Sequence, residues 1–161
     1  MRDLTKLIAA VLAMAACSTD RILQADRPDL ISPGNLDNLQ GATALYAGAL
    51  GDFAVAHDGG LGTGIGIGLV VATGFMSDEF RFGGTPPEIR EMDLRAVREA
   101  NGAWLQTYLD QHRARGAADR AAEALKAVAT AADARIGEMY ALAAAENILL
   151  GEAYCSGAPL G

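Results

Sequence analysis

Hydrophobic positions recur every three or four residues over much of the chain, which is the period of an amphipathic helix. The first such face starts at Leu36, directly after the potential N-cap Asn35, and extends to about Asp58, where Gly59 and Gly60 follow. Its members are Leu36, Leu39, Thr43, Tyr46, Leu50 and Phe53. The pattern therefore predicts a helix over residues 36–58.

Four more helices are predicted downstream. Residues 69–76 are apolar and suit a short buried helix, and Thr85-Pro86-Pro87-Glu88 has the residue order of a capped helix start. Two long helices follow, over residues 103–128 and 132–154. The last is apolar around most of its circumference, which predicts a central position among the helices.

These elements predict an all-α fold of antiparallel helices with short connections. The chain is 51% hydrophobic but only 6% aromatic, and much of the apolar share is alanine, which favours helices that pack closely. The glycines of residues 59–68 alternate and do not spell a phosphate-binding GxGxxG, so this segment is predicted to be a connector.

Charge narrows the possible partners. The 20 acidic and 13 basic residues give a net charge of −7. A nucleic-acid partner is therefore not expected, because phosphate binding needs a basic surface.

The N-terminus has the pattern of an export signal. Arg2 and Lys6 precede an apolar run over residues 7–16, which is too short to span a bilayer. Ala15 and Ala16 then precede Cys17, an order that resembles the bacterial lipobox. Besides a lipoprotein signal, this segment has two alternative interpretations: a secretory signal with a chance cysteine, or a buried N-terminal helix.

The lipobox resemblance implies three segments. Residues 1–16 would be a lipoprotein signal peptide, and residues 17–34 would comprise the lipidated Cys17 and an extended tether with Pro28, Pro33 and Gly34. Residues 35–161 would form the helical domain. Cys17 would carry a diacylglycerol thioether and a further acyl chain, and two lipid chains give stable membrane anchoring.

Enzyme chemistry has no positive support in the sequence, and neither a metal nor any cofactor beyond the covalent lipid is expected. His57 and His112 lack Cys, Asp or Glu neighbours at zinc-ligand spacing, and Cys155 has no nearby base. Asp78 and Glu79 are adjacent acids, whereas a glycosidase needs carboxylates on both sides of a cleft.

Two aromatic groups are candidates for ligand contact. Phe80-Arg81-Phe82 precedes Gly83-Gly84, and exposed aromatics beside a cation suit the faces and hydroxyls of a sugar. The alternative, that these aromatics fold back as anchors, has equal support. Trp104 and Tyr108 lie one helical turn apart, a spacing that is more typical of core residues than of a sugar platform.

Several motifs occur in an order that resembles the N-terminal part of SusD/RagB-type proteins, the surface lipoproteins that work with SusC-type TonB-dependent transporters. They are Cys17, the spaced helix from Leu39 to Phe53, Met76-Ser77-Asp78-Glu79-Phe80, Trp104-x-x-x-Tyr108, Ala114-Arg115-x-x-Ala118, and Tyr154-Cys155-Ser156-Gly157-Ala158-Pro159-Leu160.

The resemblance implies a tetratricopeptide-like scaffold of antiparallel helical pairs, a partial α-α superhelix, at the surface of the bacterial outer membrane. It implies a non-enzymatic protein that binds a glycan or another nutrient beside a SusC-like TonB-dependent transporter. Asp78, Arg81 and Phe82 would be ligand-binding residues. Family members are several times longer, so residues 35–161 would be the N-terminal part of a truncated domain.

A second hypothesis does not need the family. Stacked helices offer concave surfaces to other proteins, so a periplasmic helical-repeat adaptor lipoprotein that binds protein partners is the alternative function.

Overall fold

The computed structural model of the chain describes residues 37–60 and 66–154. The predicted signal peptide (residues 1–16), Cys17 and the tether (residues 17–34) lie outside the described residues. Within them, five α-helices and no strand are found, so the all-α prediction is confirmed for this part of the chain. The helices are α1 (Leu39–Asp58), α2 (Gly68–Met76), α3 (Pro87–Asp93), α4 (Gly102–Val128) and α5 (Ala134–Tyr154).

Helix α4 packs against α1 on one side and α5 on the other, and it is antiparallel to each of them. Gln111, early in α4, donates to the carbonyl oxygen of Ala56 near the end of α1 (3.0 Å). Arg115 of α4 reaches the Asn147 side chain of α5 (3.5 Å). Near the start of α4, the carbonyl oxygen of Trp104 accepts a hydrogen bond from the hydroxyl of Tyr154 at the end of α5 (3.4 Å). The first half of α4 therefore lies beside the ends of α1 and α5, so α4 is antiparallel to both.

The core between these three helices consists mainly of alanine. Alanine has a small cross-section and a high helix propensity, so it permits close backbone approach at little entropic cost. The larger side chains Leu125 and Met139 are fully buried among the alanines. The buried cluster comprises Ala42, Ala49, Ala117, Ala118, Ala121, Ala122, Leu125, Met139 and Ala143.

A second, smaller core joins α2 and α3 to the start of α4. It is built from Ala72, Phe75, Ile89, Met92 and Ala103, and Met92 is fully buried. This cluster holds both ends of the segment between α2 and α3, which carries the predicted ligand residues.

Two predicted helix starts are wrong in position. Helix α1 begins at Leu39, not Leu36, because the side-chain oxygen of Asn38 accepts the Gly41 amide (2.9 Å) and takes the N-cap role predicted for Asn35. Thr85 does not cap α3: Pro86 is the N-cap residue, and no side chain satisfies the first amides.

The central helix is α4, not α5 as predicted. Buried small residues on two faces of α4 let it contact α1 on one side and α5 on the other. Helix α5 instead presents Tyr140 and Ile148 to solvent, and Ile148 is 61% exposed. Within the described residues, no helix is both long and apolar enough to cross a membrane.

Candidate functional site

The loop after α2 carries the predicted ligand-binding residues. Its backbone folds back on the helix, because the amides of Glu79 and Phe80 both donate to the carbonyl oxygen of Gly74 (3.0 Å each). Asp78 adopts a left-handed conformation (φ 64°), which non-glycine residues visit rarely and asparagine and aspartate most readily. The reversal of the chain after α2 therefore starts at Asp78, one of the residues predicted to bind the ligand.

Asp78 forms an ion pair with Arg95, and both side chains are largely exposed. The hydrogen bond from Arg95 holds the pKa of the Asp78 carboxyl below its usual range, and the charge of Arg81 adds to this effect. Asp78 is therefore a carboxylate at neutral pH. Arg95 also has a positive φ (52°), so both partners stand at sharp turns of the chain.

The aromatic residues of the loop fold back as anchors, one of the two alternatives left open. Phe80 and Phe82 both contact Phe75 edge-on, with ring centroids 6.1 and 5.8 Å away. Phe82 is half-buried, whereas Phe80 covers Gly74 and remains 42% exposed. Arg81, between them, is exposed. The structure thus places Asp78 and Arg81 at the surface and uses Phe82 partly for packing, and their ligand contact stays a prediction.

Trp104 and Tyr108 do belong to a packed cluster. Tyr154 of α5 lies 4.7 Å from the ring of Trp104 and 5.0 Å from the ring of Tyr108, measured between centroids. Its hydroxyl also donates to the carbonyl oxygen of Trp104 (3.4 Å). Burial raises the pKa of Tyr154. These rings join α4 to α5 and do not form an open platform for a sugar.

The sequence analysis missed a buried polar contact between α1 and α5. Nε2 of His57 lies 3.4 Å from Oε1 of Glu146, whose side chain has no solvent exposure. Neither carboxyl oxygen has a hydrogen-bond partner in the described part of the chain. Burial raises the pKa of Glu146 to about 7 and lowers the pKa of His57. The sequence did contain a signal for this contact. Glu146 lies between two apolar runs of a predicted helix, Ala143-Ala144-Ala145 and Ile148-Leu149-Leu150.

His57 also borders a cavity of about 280 Å³ between α1, α2 and α5. Its walls are mostly aliphatic, with His57, Thr73 and Glu152 as the polar contributors. The hydroxyl of Thr73 donates to the carbonyl oxygen of Leu69 within α2 (2.8 Å). The remaining lining residues are Leu69, Val70, Leu149 and Ala153.

A metal site is not found among the described residues, in which no three or more His, Cys, Asp or Glu side chains form a group that could hold an ion.

Comparison with known proteins gives no relatives: no family model, no curated protein and no solved structure matches the chain.

Proposed function

We propose that the chain is a nutrient-binding surface lipoprotein of the SusD/RagB type. Its ligand would be a glycan or another nutrient, and its partner a SusC-like TonB-dependent transporter. Lipid on Cys17 would hold it at the outer membrane, and the all-α fold would be the first part of a tetratricopeptide-like scaffold. The proposal depends on the ordered motifs of the sequence.

The observation that supports it best is that distant motif residues meet in the fold. Trp104 and Tyr108, which open α4, pack against Tyr154, which begins the last motif and lies 50 residues from Trp104 in sequence. A family motif that recurs at fixed positions is expected to have such a shared structural role. Chance matches to separate short patterns would not be expected to make contact.

A second motif also has a local role. Met76-Ser77-Asp78-Glu79-Phe80 ends α2, because Ser77 follows the last helical residue and Phe80 returns to cover Gly74. The family resemblance implies a motif that closes a short helix at this point, and this local role supports the proposal. The exposed Asp78 and Arg81 of the same loop are then available for ligand contact.

The lipid anchor is the first part to test. We expect labelled palmitate to be incorporated into the chain in the bacterium of origin, and the Cys17→Ala variant to lose the label. Cys155→Ala is the matched control and should retain it. Label that persists in Cys17→Ala would overturn the anchor.

The transporter partnership requires a separate experiment. An affinity-tagged chain, cross-linked in intact cells and purified in detergent, should carry a TonB-dependent transporter as its main partner. The Cys17→Ala variant should recover much less, because an unanchored chain is diluted away from the membrane. Recovery of periplasmic proteins without any transporter would contradict the proposal.

Ligand contact by the loop is tested with Arg81→Ala. Binding to a panel of soluble polysaccharides should weaken at least several-fold, because an exposed cation adjacent to a carboxylate and an aromatic ring would lose its contacts with ligand hydroxyls. Arg120→Ala is the control, since Arg120 is an exposed arginine in the second half of α4 and is not part of the loop. Equal binding by both variants would exclude Arg81 from the site.

The alternative, a periplasmic adaptor that binds proteins, is favoured by exposed apolar side chains on helical surfaces. Leu105 and Leu109 lie one turn apart on α4 and are 54% and 46% exposed, and apolar patches of this kind often mark protein contacts. Protease treatment of intact cells separates the two functions. Loss of the protein indicates the cell surface, and survival indicates the periplasm.

A further inference from the structure

Glu146 occupies an unusual position for a carboxyl group. It lies in the middle of α5, its side chain is fully buried, and neither oxygen forms a hydrogen bond with another described residue. A buried carboxylate without partners is strongly unfavourable, because no hydrogen bond or ion pair compensates for the hydration that the charge loses on burial. The arrangement therefore requires either a compensating cation or a neutral carboxyl group.

The cations of the neighbouring helix do not compensate Glu146. Arg115 is the arginine of α4 that reaches this part of α5, but its guanidinium donates to Asn147, and no ion pair joins it to Glu146 within the described residues. The side-chain amide nitrogen of Gln111 donates a hydrogen bond to the carbonyl oxygen of Ala56 and not to Glu146. His112 is itself disfavoured as a cation, because burial and the charge of Arg115 lower its pKa.

The partner of Glu146 is His57 on α1. Its Nε2 atom is buried, lies 3.4 Å from Oε1 of Glu146 and has no hydrogen-bond partner among the described residues. The imidazole stacks on Phe53, with ring centroids 4.2 Å apart, which fixes its plane. The other charged groups near it are Asp58 of α1, whose charge favours protonation of His57, and Glu152 of α5, which lines the same cavity. Helix α2 contributes only the Thr73 hydroxyl as a polar group of this cavity wall.

We propose that Glu146 and His57 form a neutral, proton-dependent contact between α1 and α5, which holds the helices together while Glu146 is protonated and weakens when Glu146 ionises. In the protonated state, the carboxyl O–H is the donor and the Nε2 lone pair of the neutral imidazole is the acceptor. Loss of that proton leaves a carboxylate in the core between the two helices.

The environment of both groups agrees with this assignment. Desolvation raises the pKa of Glu146 to about 7 and lowers the pKa of His57, so both groups are biased toward their neutral forms. Because His57 also lines the cavity, ionisation of Glu146 changes the charge directly behind one cavity wall.

The direction of the pH dependence follows from proton linkage. Unfolded Glu146 loses its proton near pH 4.5, whereas the folded carboxyl holds it to about pH 7. The folded state therefore binds more protons across this interval, and its stability falls as pH rises. The folding equilibrium constant should fall by up to about 300-fold over the interval, since each pH unit contributes up to tenfold. His57 acts oppositely below pH 6.5, where the unfolded state binds the proton more readily.

The test compares urea unfolding of the 161-residue chain with that of Glu146→Gln between pH 4.5 and 8. Glutamine keeps the size and a donor for Nε2 but cannot ionise. The ratio of wild-type to variant folding constants should fall by up to about 300-fold as pH rises. Glu99→Gln is the control: this exposed glutamate should leave the ratio to wild type nearly constant.

A ratio that rises with pH, or stays flat, would overturn the proposal. A rising ratio would mean that Glu146 is a carboxylate paired with a cationic His57, because that pair is stabilised only above the unfolded pKa of Glu146.

A direct measurement covers the case in which Glu146→Gln fails to fold. Carbon-13 NMR titration of the wild-type glutamate carboxyl groups should show one group that titrates near pH 7, clearly separated from the others. If every glutamate carboxyl titrates at or below its ordinary value, the neutral contact does not exist.

Discussion

The alanine-rich contact between α1, α4 and α5 predicts that a larger side chain at the buried position Ala121 destabilises the fold. Ala121 is fully buried in the cluster that joins these helices. Replacement by leucine adds three carbon atoms to a side chain that has no solvent exposure and lies among other buried alanines. Overpacking of a filled core costs about 1–3 kcal/mol, because side chains leave their preferred rotamers and the helices must move apart.

The matched control is Ala127→Leu, at an exposed position on the same helix. Both substitutions change intrinsic helix propensity by the same small amount, so their difference isolates the packing cost. A loss of 1–3 kcal/mol corresponds to a lowering of the melting temperature by about 2–12 °C for a chain of this size. Circular dichroism at 222 nm during heating measures both variants against the wild type.

Equal melting temperatures for Ala121→Leu and Ala127→Leu would refute the reasoning. Such a result would mean that the helices are not in close contact at Ala121, and that the alanine-rich interface does not set their spacing. Urea unfolding of the same proteins checks that both variants remain cooperative, since a changed slope with denaturant would indicate an altered folded state.

Three further predictions concern local features. Gly74→Ala should lower the free energy of unfolding by about 1–3 kcal/mol, because the added Cβ would occupy the space of the Phe80 ring. Gly48→Ala should raise it by roughly 0.5–1 kcal/mol, because a Cβ at this helical position meets no atom. The midpoints of urea unfolding measure both changes. Asn101→Ala should cost about 1–2 kcal/mol in the same assay, since its side chain caps α4, and no loss would contradict that role. Arg98 lowers the pKa of Glu91, so the stability that Glu91 contributes is present above pH 4.5 and lost as pH falls below it. The difference between wild type and Glu91→Gln should therefore shrink from pH 7 to pH 3, and a growing difference would refute the pairing.

Local sequence signals predicted most helices because their causes are local. The end of α1 at Gly59 follows from a backbone conformation (φ 90°) that glycine adopts readily. The start of the same helix was misplaced because asparagine is a good N-cap residue at either position, 35 or 38, and residue type alone does not choose between them. The apolar residues around most of α5 led to the prediction that α5 is central. The sequence pattern could not show that small residues on two faces of α4 would let α1 and α5 both pack against it.

The candidate ligand loop was located from the sequence, but the roles of its side chains were not. Phe80 and Phe82 could equally have been exposed or folded back, and only the position of Phe75 in three dimensions decides that they pack edge-on against it. The pairing of Asp78 with Arg95, 17 residues later, depends on the turn between α3 and α4.

By itself, the sequence determined that the described part of the chain is helical and roughly where each helix lies, because hydrophobic periodicity and the positions of glycine and proline act locally. Only the tertiary structure decided that α4 is central, that three distant aromatic residues pack together and that Glu146 faces His57. These outcomes depend on which helix faces meet, and burial then gives a single carboxyl group a proton affinity that its neighbours in sequence do not predict.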